Sequence, residues 1–164
     1  MWGIALAQTS AQVRVTAVDW PAIMPVTLRV AKRFGVADQL EGRAGDLFEV
    51  DFGAGYSIVT MGHILHMLGP KENQTLLKKA FAALAPGGTI AIGELLVNDE
   101  RTGPVMSLAF AINMLLYTTN GNVYSFGEIR SWLEEAGFVN ARLQPAPGPS
   151  PLVLADKSGK EARR

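Results

Sequence analysis

The segment VRVTAVDWP, residues 13–21, carries the signal that decides the fold class. Residues 13–18 are rich in β-branched side chains, which is typical of a parallel strand that is buried on both faces. The run then stops abruptly at Asp19, Trp20 and Pro21. A carboxylate at the end of a buried strand, with a proline behind it, indicates either a ligand site or a helix N-cap before Pro21.

Composition limits the classes of protein to consider. A chain of 164 residues, 48% of them hydrophobic, is enough for one domain with a sizeable core. Lys+Arg and Asp+Glu both number 15, which argues against a nucleic-acid partner or an acidic membrane surface. The absence of cysteine excludes disulfides, zinc–thiolate sites and thiol nucleophiles. Two histidines are too few for most all-histidine metal sites, so we assign no metal.

The N-terminal segment MWGIALAQTSA is apolar, but it does not have the basic start of a signal peptide. Its apolar run is short, and no stretch of the sequence approaches the length of a membrane span. We therefore expect a cytoplasmic protein with no membrane partner.

Strand-like and helix-like stretches alternate on either side of the opening segment. We predict strands at 13–18, 39–44, 56–62 and 89–97, and helices at the N-terminus, at 25–34, from 71 to the stop Pro86-Gly87-Gly88, and at 105–116. A capping box of Ser125 and Glu128 begins another helix, which Gly137 ends. Two strands around a Pro/Gly-rich turn, within 139–156, form an antiparallel hairpin.

This alternation predicts an α/β fold, with a Rossmann-like and mostly parallel sheet that is covered by helices on both faces. We expect one domain over residues 1–156 and a disordered tail at 157–164. Sheets of this kind bind ligands at the carboxyl ends of their strands. Asp19, Asp46, the residues after Thr60, and Glu94 all lie at such ends.

Five stretches carry a family resemblance: VTAVDWP, AGDLF, VTMGHILHML, LLKKAFAALAPGGTIAIGELL and IRSWLEEAGF. In this order the chain resembles the class I S-adenosylmethionine-dependent O-methyltransferases that act on small molecules. That group contains plant caffeate-type and acetylserotonin-type enzymes and bacterial polyketide-tailoring enzymes. The resemblance implies a methyltransferase sheet, S-adenosylmethionine as the cofactor, and a small aromatic or polyketide-like acceptor.

The resemblance also implies cofactor-binding residues. Asp19 would accept hydrogen bonds from both ribose hydroxyls, with Trp20 beside it, because a carboxylate can take two donors at once. Asp46 and Leu47 would flank the adenine, and Gly62 falls at a further cofactor position. From the residues alone, Asp46 is equally a turn or cap residue.

The catalytic residues that the resemblance implies are His66, as the base that takes the acceptor hydroxyl's proton, and Glu94, as the carboxylate that orients His66. A neutral imidazole suits proton abstraction near pH 7. A histidine beside a strand end can also be a structural polar residue, and we interpret His63 in that way.

An apolar predicted helix would line the acceptor pocket of the family. Its candidate substrate-binding residues are Met106, Phe110, Asn113, Met114 and Tyr117. Core packing is an equally good explanation for each of these residues except Asn113, because an amide within an apolar run needs a hydrogen-bonding partner.

The family's Gly-rich loop, its first strand and its N-terminal dimerisation domain have no counterpart in this sequence. We therefore expect an N-terminally truncated sheet in which the missing central strand leaves two open edges. Two other functions stay open: a nicotinamide-dependent dehydrogenase fragment, and a non-catalytic methyltransferase-derived interaction protein. The oligomeric state is also open, a homodimer being one alternative.

Overall fold

The computed structural model describes residues 2–159. The chain divides into two compact units, Met1–Phe52 and Gly53–Arg164. Each unit contains its own hydrogen-bonded β-sheet, of two strands in the first and four strands in the second. Of the predicted tail, residues 160–164 lie outside the described residues.

The first unit alternates helices and parallel strands. Its elements are α1 (Trp2–Ala7), β1 (Val15–Asp19), α2 (Met24–Arg33), a 3₁₀ turn (Ala37–Gln39) and β2 (Leu40–Ala44). Strands β1 and β2 run parallel, in a register from Val15 opposite Leu40 to Asp19 opposite Ala44. The carboxyl ends of both strands therefore lie at one edge of this sheet, as predicted for a site that contains Asp19.

A small apolar core and one glutamine hold the first unit together. The core is the buried cluster Ile4, Ala7, Ala31, Val36 and Leu40. The Gln39 amide donates to three carbonyls between α1 and β1, those of Ala7 at 2.9 Å, Ser10 at 2.8 Å and Val13 at 3.0 Å. One half-buried amide thus ties the loop between α1 and β1 to the start of β2.

The second unit is a four-stranded sheet with helices. Its elements are β3 (Tyr56–Gly62), a 3₁₀ turn (Leu65–Met67), α3 (Pro70–Ala83), β4 (Leu84–Gly93), α4 (Val105–Tyr117), α5 (Phe126–Ala136), β5 (Val139–Gln144) and β6 (Leu152–Asp156). The strand order is β3-β4-β6-β5. Strands β3 and β4 are parallel, whereas β6 is antiparallel to both β4 and β5. The predicted α/β class and C-terminal hairpin are confirmed.

The boundary between α3 and β4 differs from the prediction. The helix ends at Ala83, and β4 begins at once with Leu84 instead of after the Pro86-Gly87-Gly88 stop. The Lys157 ammonium donates to the carbonyls of Phe81 at 2.8 Å and Leu84 at 2.7 Å, which satisfies the end of the helix from a distant part of the chain. The helix consequently needs no glycine cap of its own.

The local signals around α5 behave as predicted. The Ser125 side chain accepts from the Glu128 N–H and the Glu128 carboxylate accepts from the Ser125 N–H, which forms the capping box. Gly137 ends the helix with φ 103°, a left-handed conformation that a residue without a Cβ adopts readily.

Within residues 2–159, four strands lie at an edge of their own sheet, namely β1 and β2 in the first unit and β3 and β5 in the second. Among residues 2–159, β1 has β2 as its neighbour, and β3 has β4. On β3, Ile58 is 48% exposed although it is a large apolar residue. No helix in the described part of the chain has the length and apolar character of a membrane span.

Candidate active site

Two parallel strands of the second unit place His66 and Glu94 side by side. Gly62 at the end of β3 is opposite Gly93 at the end of β4, so both strands end at the same edge. His66 lies in the 3₁₀ turn after β3, and Glu94 directly follows β4. The His66 Nδ1 and Glu94 Oε2 atoms are 2.8 Å apart, and both residues are buried.

Both carboxylate oxygens of Glu94 are engaged. Oε2 accepts from His66, and Oε1 accepts a 2.9 Å hydrogen bond from the Leu65 N–H. Because a carboxylate can only accept, the neutral His66 ring carries its proton on Nδ1 and leaves Nε2 unprotonated. In this arrangement a carboxylate orients an imidazole whose second nitrogen can act as a general base.

Two further side chains hold the turn that carries His66. The buried Asn73 amide donates to the carbonyls of Leu65 at 3.0 Å and Leu68 at 3.2 Å. The Tyr124 hydroxyl donates to the same Leu68 carbonyl at 2.6 Å. Burial raises the pKa of Tyr124 to about 12, helped by the negative charges of Glu128 and Glu72. The Tyr124 hydroxyl therefore stays protonated and donates its hydrogen bond to Leu68 at any physiological pH.

Sequence reasoning missed these two positioning residues. Asn73 occupies a helix position where an amide is unremarkable, and Tyr124 precedes a capping box that already explains the local pattern. Their hydrogen bonds to Leu65 and Leu68 depend on how α3 and α5 pack. The available signal was a polar amide on the buried apolar face of α3, where it needs a hydrogen-bonding partner.

His63 lies beside the same carboxylate. Its Nδ1 is 4.0 Å from Glu94 Oε2, and its side chain is 47% exposed. The backbone of His63 is left-handed, with φ 57°, and its N–H donates to the Gly93 carbonyl at 2.9 Å. A residue with a Cβ adopts this conformation at a cost, so the backbone here is strained.

The five acceptor candidates lie on α4 in different environments. The Phe110 ring packs edge-on against the His66 ring, with centroids 5.0 Å apart and planes at 82°. Met114 is buried, whereas Met106, Asn113 and Tyr117 are exposed. Because Asn113 is exposed, water can satisfy its amide, and the expected need for a protein partner does not arise.

Asp19 lies in the first unit at the end of β1. Its Oδ1 accepts from the Trp20 N–H at 2.9 Å, and its Oδ2 lies 3.5 Å from the Thr27 hydroxyl. Ile23 is the N-cap residue of α2, so Asp19 is not the cap of that helix. The alternative explanation of Asp19 as an N-cap is therefore wrong. The neighbouring Trp20 is 55% exposed.

Asp46 lies two residues beyond the end of β2, the strand that pairs with β1. Its Oδ1 accepts from the Phe48 N–H at 2.7 Å, and its carbonyl accepts from the N–H of Val50 at 2.8 Å. The side chain thus closes the turn that contains Leu47, as the turn alternative expects. Both Asp19 and Asp46 stand at the carboxyl edge of the two-stranded sheet. Gly62 belongs to the second unit.

Comparison with known proteins agrees with this geometry. A family model described as an O-methyltransferase domain matches residues 5–139. The chain belongs to the O-methyltransferase domain family. Its similarity to the tetracenomycin 8-O-methyltransferase TcmO of Streptomyces glaucescens is 31% identity, over 88% of this chain and 42% of TcmO. The L-tyrosine C(3)-methyltransferase of Streptomyces lavendulae is also 31% identical, over 94% of this chain and 43% of that enzyme.

Solved structures show the same O-methyltransferase fold. A candidate O-methyltransferase of Nostoc punctiforme superposes with a TM-score of 0.92 and 33% identity, over 95% of this chain and 48% of that chain. PigF, an S-adenosyl-L-methionine-dependent methyltransferase of Serratia, was solved with SAH (S-adenosylhomocysteine). It gives a TM-score of 0.83 and 25% identity, over 94% of this chain and 46% of that chain.

This member of the O-methyltransferase family spans less than half the length of the curated relatives that are described above. The predicted family and the predicted Rossmann-like methyltransferase fold are confirmed over nearly all of the chain. The family match does not favour the nicotinamide-dependent dehydrogenase alternative.

Proposed function

We propose that this chain carries the catalytic part of an S-adenosylmethionine-dependent O-methyltransferase that acts on a hydroxyl of a small aromatic or polyketide-like acceptor. The observation that carries the proposal is the buried pair of His66 and Glu94, whose atoms are 2.8 Å apart. An unpaired buried imidazole would be a structural residue, but a carboxylate on Nδ1 prepares Nε2 to accept a proton. Relatives that carry out methyl transfer support the assignment.

In this proposal His66 Nε2 takes the proton of the acceptor hydroxyl. The charge of Glu94 then stabilises the imidazolium that forms, and the Leu65 N–H keeps the carboxylate in position. Phe110, whose ring packs on His66, provides an apolar surface for a planar acceptor. The other α4 candidates, Met106, Asn113, Met114 and Tyr117, are proposed to line the acceptor pocket.

S-adenosylmethionine, when bound, supplies an electrophilic methyl group. The residues of the first unit proposed to hold it are Asp19, Trp20, Asp46 and Leu47, and Gly62 is a separate cofactor-binding candidate in the second unit. The two carboxylates fit this cofactor, because they can accept hydrogen bonds from a ribose diol and from an adenine amino group. Asp19 in particular is not used as a helix cap, and it accepts from the Trp20 N–H at 2.9 Å and from the Thr27 hydroxyl at 3.5 Å, which leaves acceptor capacity on both oxygens.

Carbon methylation is a second candidate reaction. The L-tyrosine C(3)-methyltransferase is as similar to this chain as TcmO is, with 31% identity in both cases. A base that deprotonates a phenol serves both reactions, since the phenolate is nucleophilic at oxygen and at the neighbouring ring carbon. The position of the methyl group in the product distinguishes the two.

The proposal is tested first by calorimetric titration of the purified chain with S-adenosylhomocysteine, with NAD as the control ligand. We expect binding of S-adenosylhomocysteine alone, and a loss of affinity of at least about tenfold in Asp19→Asn, because a neutral amide replaces the acceptor of two hydrogen bonds. Equal binding of NAD, or an Asp19→Asn variant with unchanged affinity, would overturn the cofactor assignment.

The second step is a methyl-transfer assay against a panel of phenols and hydroxylated polyketides. We expect His66→Ala to reduce turnover by about 10²- to 10⁴-fold while cofactor affinity stays unchanged. Full activity in that variant would show that His66 is not the base.

The non-catalytic interaction protein is the remaining alternative, and exposed apolar residues favour it. On α4, Val105 is 80% exposed, Leu115 77% and Tyr117 82%. Patches of this kind mark interaction surfaces. Light scattering that shows a stable dimer or complex, combined with no methyl transfer and no effect of His66→Ala, would support this alternative over the enzyme.

A further inference from the structure

Three potential metal ligands converge at the carboxyl edge of the second sheet. One donor atom each from His63, His66 and Glu94 lies within 4.8 Å of the other two. Both imidazoles face the same oxygen, because Glu94 Oε2 is 2.8 Å from His66 Nδ1 and 4.0 Å from His63 Nδ1. The proposed methyl-transfer chemistry gives His63 no role.

The donor set matches the preference of Zn²⁺. Two imidazole nitrogens and one carboxylate oxygen are a common three-ligand set for zinc, with water in the fourth position. With bonds of about 2.0–2.1 Å, tetrahedral ligands stand roughly 3.3 Å apart. The distances from Glu94 Oε2 to His66 Nδ1 and to His63 Nδ1, 2.8 Å and 4.0 Å, lie on either side of that value, and the three donor atoms all lie within 4.8 Å of one another, so side-chain movements alone would close the site.

The three residues differ in exposure in a way that suits metal capture. The side chains of His66 and Glu94 are only 9% and 3% exposed, and the Leu65 N–H fixes the carboxylate at 2.9 Å. Such an outer hydrogen bond orients a ligand and increases metal affinity. The His63 side chain is 47% exposed, so it can rotate toward Glu94 and leaves the site open to solvent.

The backbone places His63 at this position in spite of strain. With φ 57°, His63 is in the left-handed region, where residues with a Cβ are uncommon. The His63 N–H donates a 2.9 Å hydrogen bond to the carbonyl of Gly93, the residue directly before Glu94, and this bond holds the His63 backbone in place. An outlier of this kind next to a buried carboxylate points to function rather than packing.

We propose that His63, His66 and Glu94 bind one Zn²⁺ or a similar divalent transition metal ion, and that the ion switches off His66 as a base. Binding at His66 Nδ1 displaces the proton from that atom, so the neutral ring carries its proton on Nε2 instead. Nε2 then donates and cannot accept the proton of a hydroxyl. The metal site itself depends only on the three side chains and not on methyl transfer.

The test is calorimetric titration of the full 164-residue chain with Zn²⁺ in a non-chelating buffer, without S-adenosylmethionine or acceptor. We expect one ion per chain, and a Kd that is raised by more than about tenfold in both His63→Asn and Glu94→Gln. Asparagine tolerates a left-handed backbone, so His63→Asn keeps the fold. Glu100→Gln, which removes an exposed carboxylate elsewhere, is the matched control and leaves the Kd unchanged.

Cobalt gives a second readout that activity does not influence. Co²⁺ bound by two imidazoles and a carboxylate shows the intense visible absorption of a tetrahedral ion, which His63→Asn abolishes. Thermal unfolding of each variant confirms that it is folded. No stoichiometric binding, or a Kd that His63→Asn does not change, overturns the proposal.

The link to catalysis has its own measurement. If the chain methylates an acceptor, Zn²⁺ inhibits the wild type, and His63→Asn resists inhibition relative to its own zinc-free rate. A wild-type rate unaffected by saturating Zn²⁺ would refute the switching of His66. An inactive chain that still binds Zn²⁺ would refute the proposed function and leave the metal site standing.

Discussion

The Tyr124 hydroxyl donates a 2.6 Å hydrogen bond to the Leu68 carbonyl, across 56 positions of sequence. Leu68 follows the turn that carries His66, and Tyr124 precedes the N-cap of α5. The Tyr124 ring also packs edge-on against Trp132, with centroids 4.7 Å apart. The start of α5 therefore holds the turn of the candidate base in place.

Replacing Tyr124 by phenylalanine tests this link. We expect the free energy of unfolding of Tyr124→Phe near neutral pH to be lower than that of the wild type by about 1 kcal/mol, since one hydrogen bond is lost and Asn73 still donates to Leu68. Urea denaturation measures the difference. An unchanged free energy of unfolding would show that the bond contributes nothing.

The same variant makes a prediction for alkaline pH. The pKa of Tyr124 is raised from 10.0 to about 12 in the folded protein, so folding favours the neutral phenol. The contribution of the neutral Tyr124 phenol to the free energy of unfolding is complete below about pH 10 and is lost as the pH rises through about 12. The unfolding free energy of the wild type should therefore fall relative to that of Tyr124→Phe over that range, by enough to reverse the difference seen near neutral pH. A constant difference would contradict the raised pKa.

Glu94→Gln separates the orientation of His66 from its presence. The amide oxygen of glutamine can still accept from the Leu65 N–H, but the variant has no charge to stabilise the imidazolium of His66. We expect methyl transfer to fall by about 10²- to 10⁴-fold, with unchanged affinity for S-adenosylhomocysteine. Steady-state rates and calorimetry measure the two quantities. The exposed Glu100→Gln variant serves as the control, and equal losses in both variants would contradict the assigned role.

Asn73→Ala tests the second support of the turn. Removal of the amide leaves the buried Leu65 carbonyl without the donor that Asn73 supplies, and we expect destabilisation of roughly 1–3 kcal/mol. Thr75→Ala on the same helix removes only an exposed bond to the Lys71 carbonyl and should cost less than about 0.5 kcal/mol. Denaturation in urea compares them. Similar losses in the two variants would argue against a special role for Asn73.

Lys157→Met tests the distant cap of α3. The Lys157 ammonium lies over the Phe81 ring, with Nζ 4.7 Å from the ring centroid, and donates to the Phe81 and Leu84 carbonyls. Methionine keeps much of the stem, so the expected loss of about 1–2 kcal/mol reports the hydrogen bonds and the charge at the helix C-terminus. Lys78→Met, at an exposed position of α3, should be nearly neutral. The midpoint of urea unfolding is the measurement, and no shift in Lys157→Met would contradict the cap.

Sequence patterns predict the elements whose signals are local. The predicted bounds 56–62 of β3 are confirmed. The signal is local, since Gly55 precedes the mostly apolar run and Gly62 ends it. The capping box of Ser125 and the stop at Gly137 also involve residues within three or four positions of each other. The alternation of these elements is enough to predict the α/β class, and the motifs that they carry, AGDLF among them, give the resemblance to the family.

Local sequence patterns predicted most of the helices and strands, and the motifs that resemble the family implied His66 and Glu94 as a candidate pair. The surroundings of that pair follow from the tertiary structure. The approach of His63 to Glu94, the bond from Tyr124 to Leu68 and the cap from Lys157 join residues that are far apart in the chain. The strand register and the packing of α3 and α5 create these contacts, and no local pattern of residues encodes such long-range geometry.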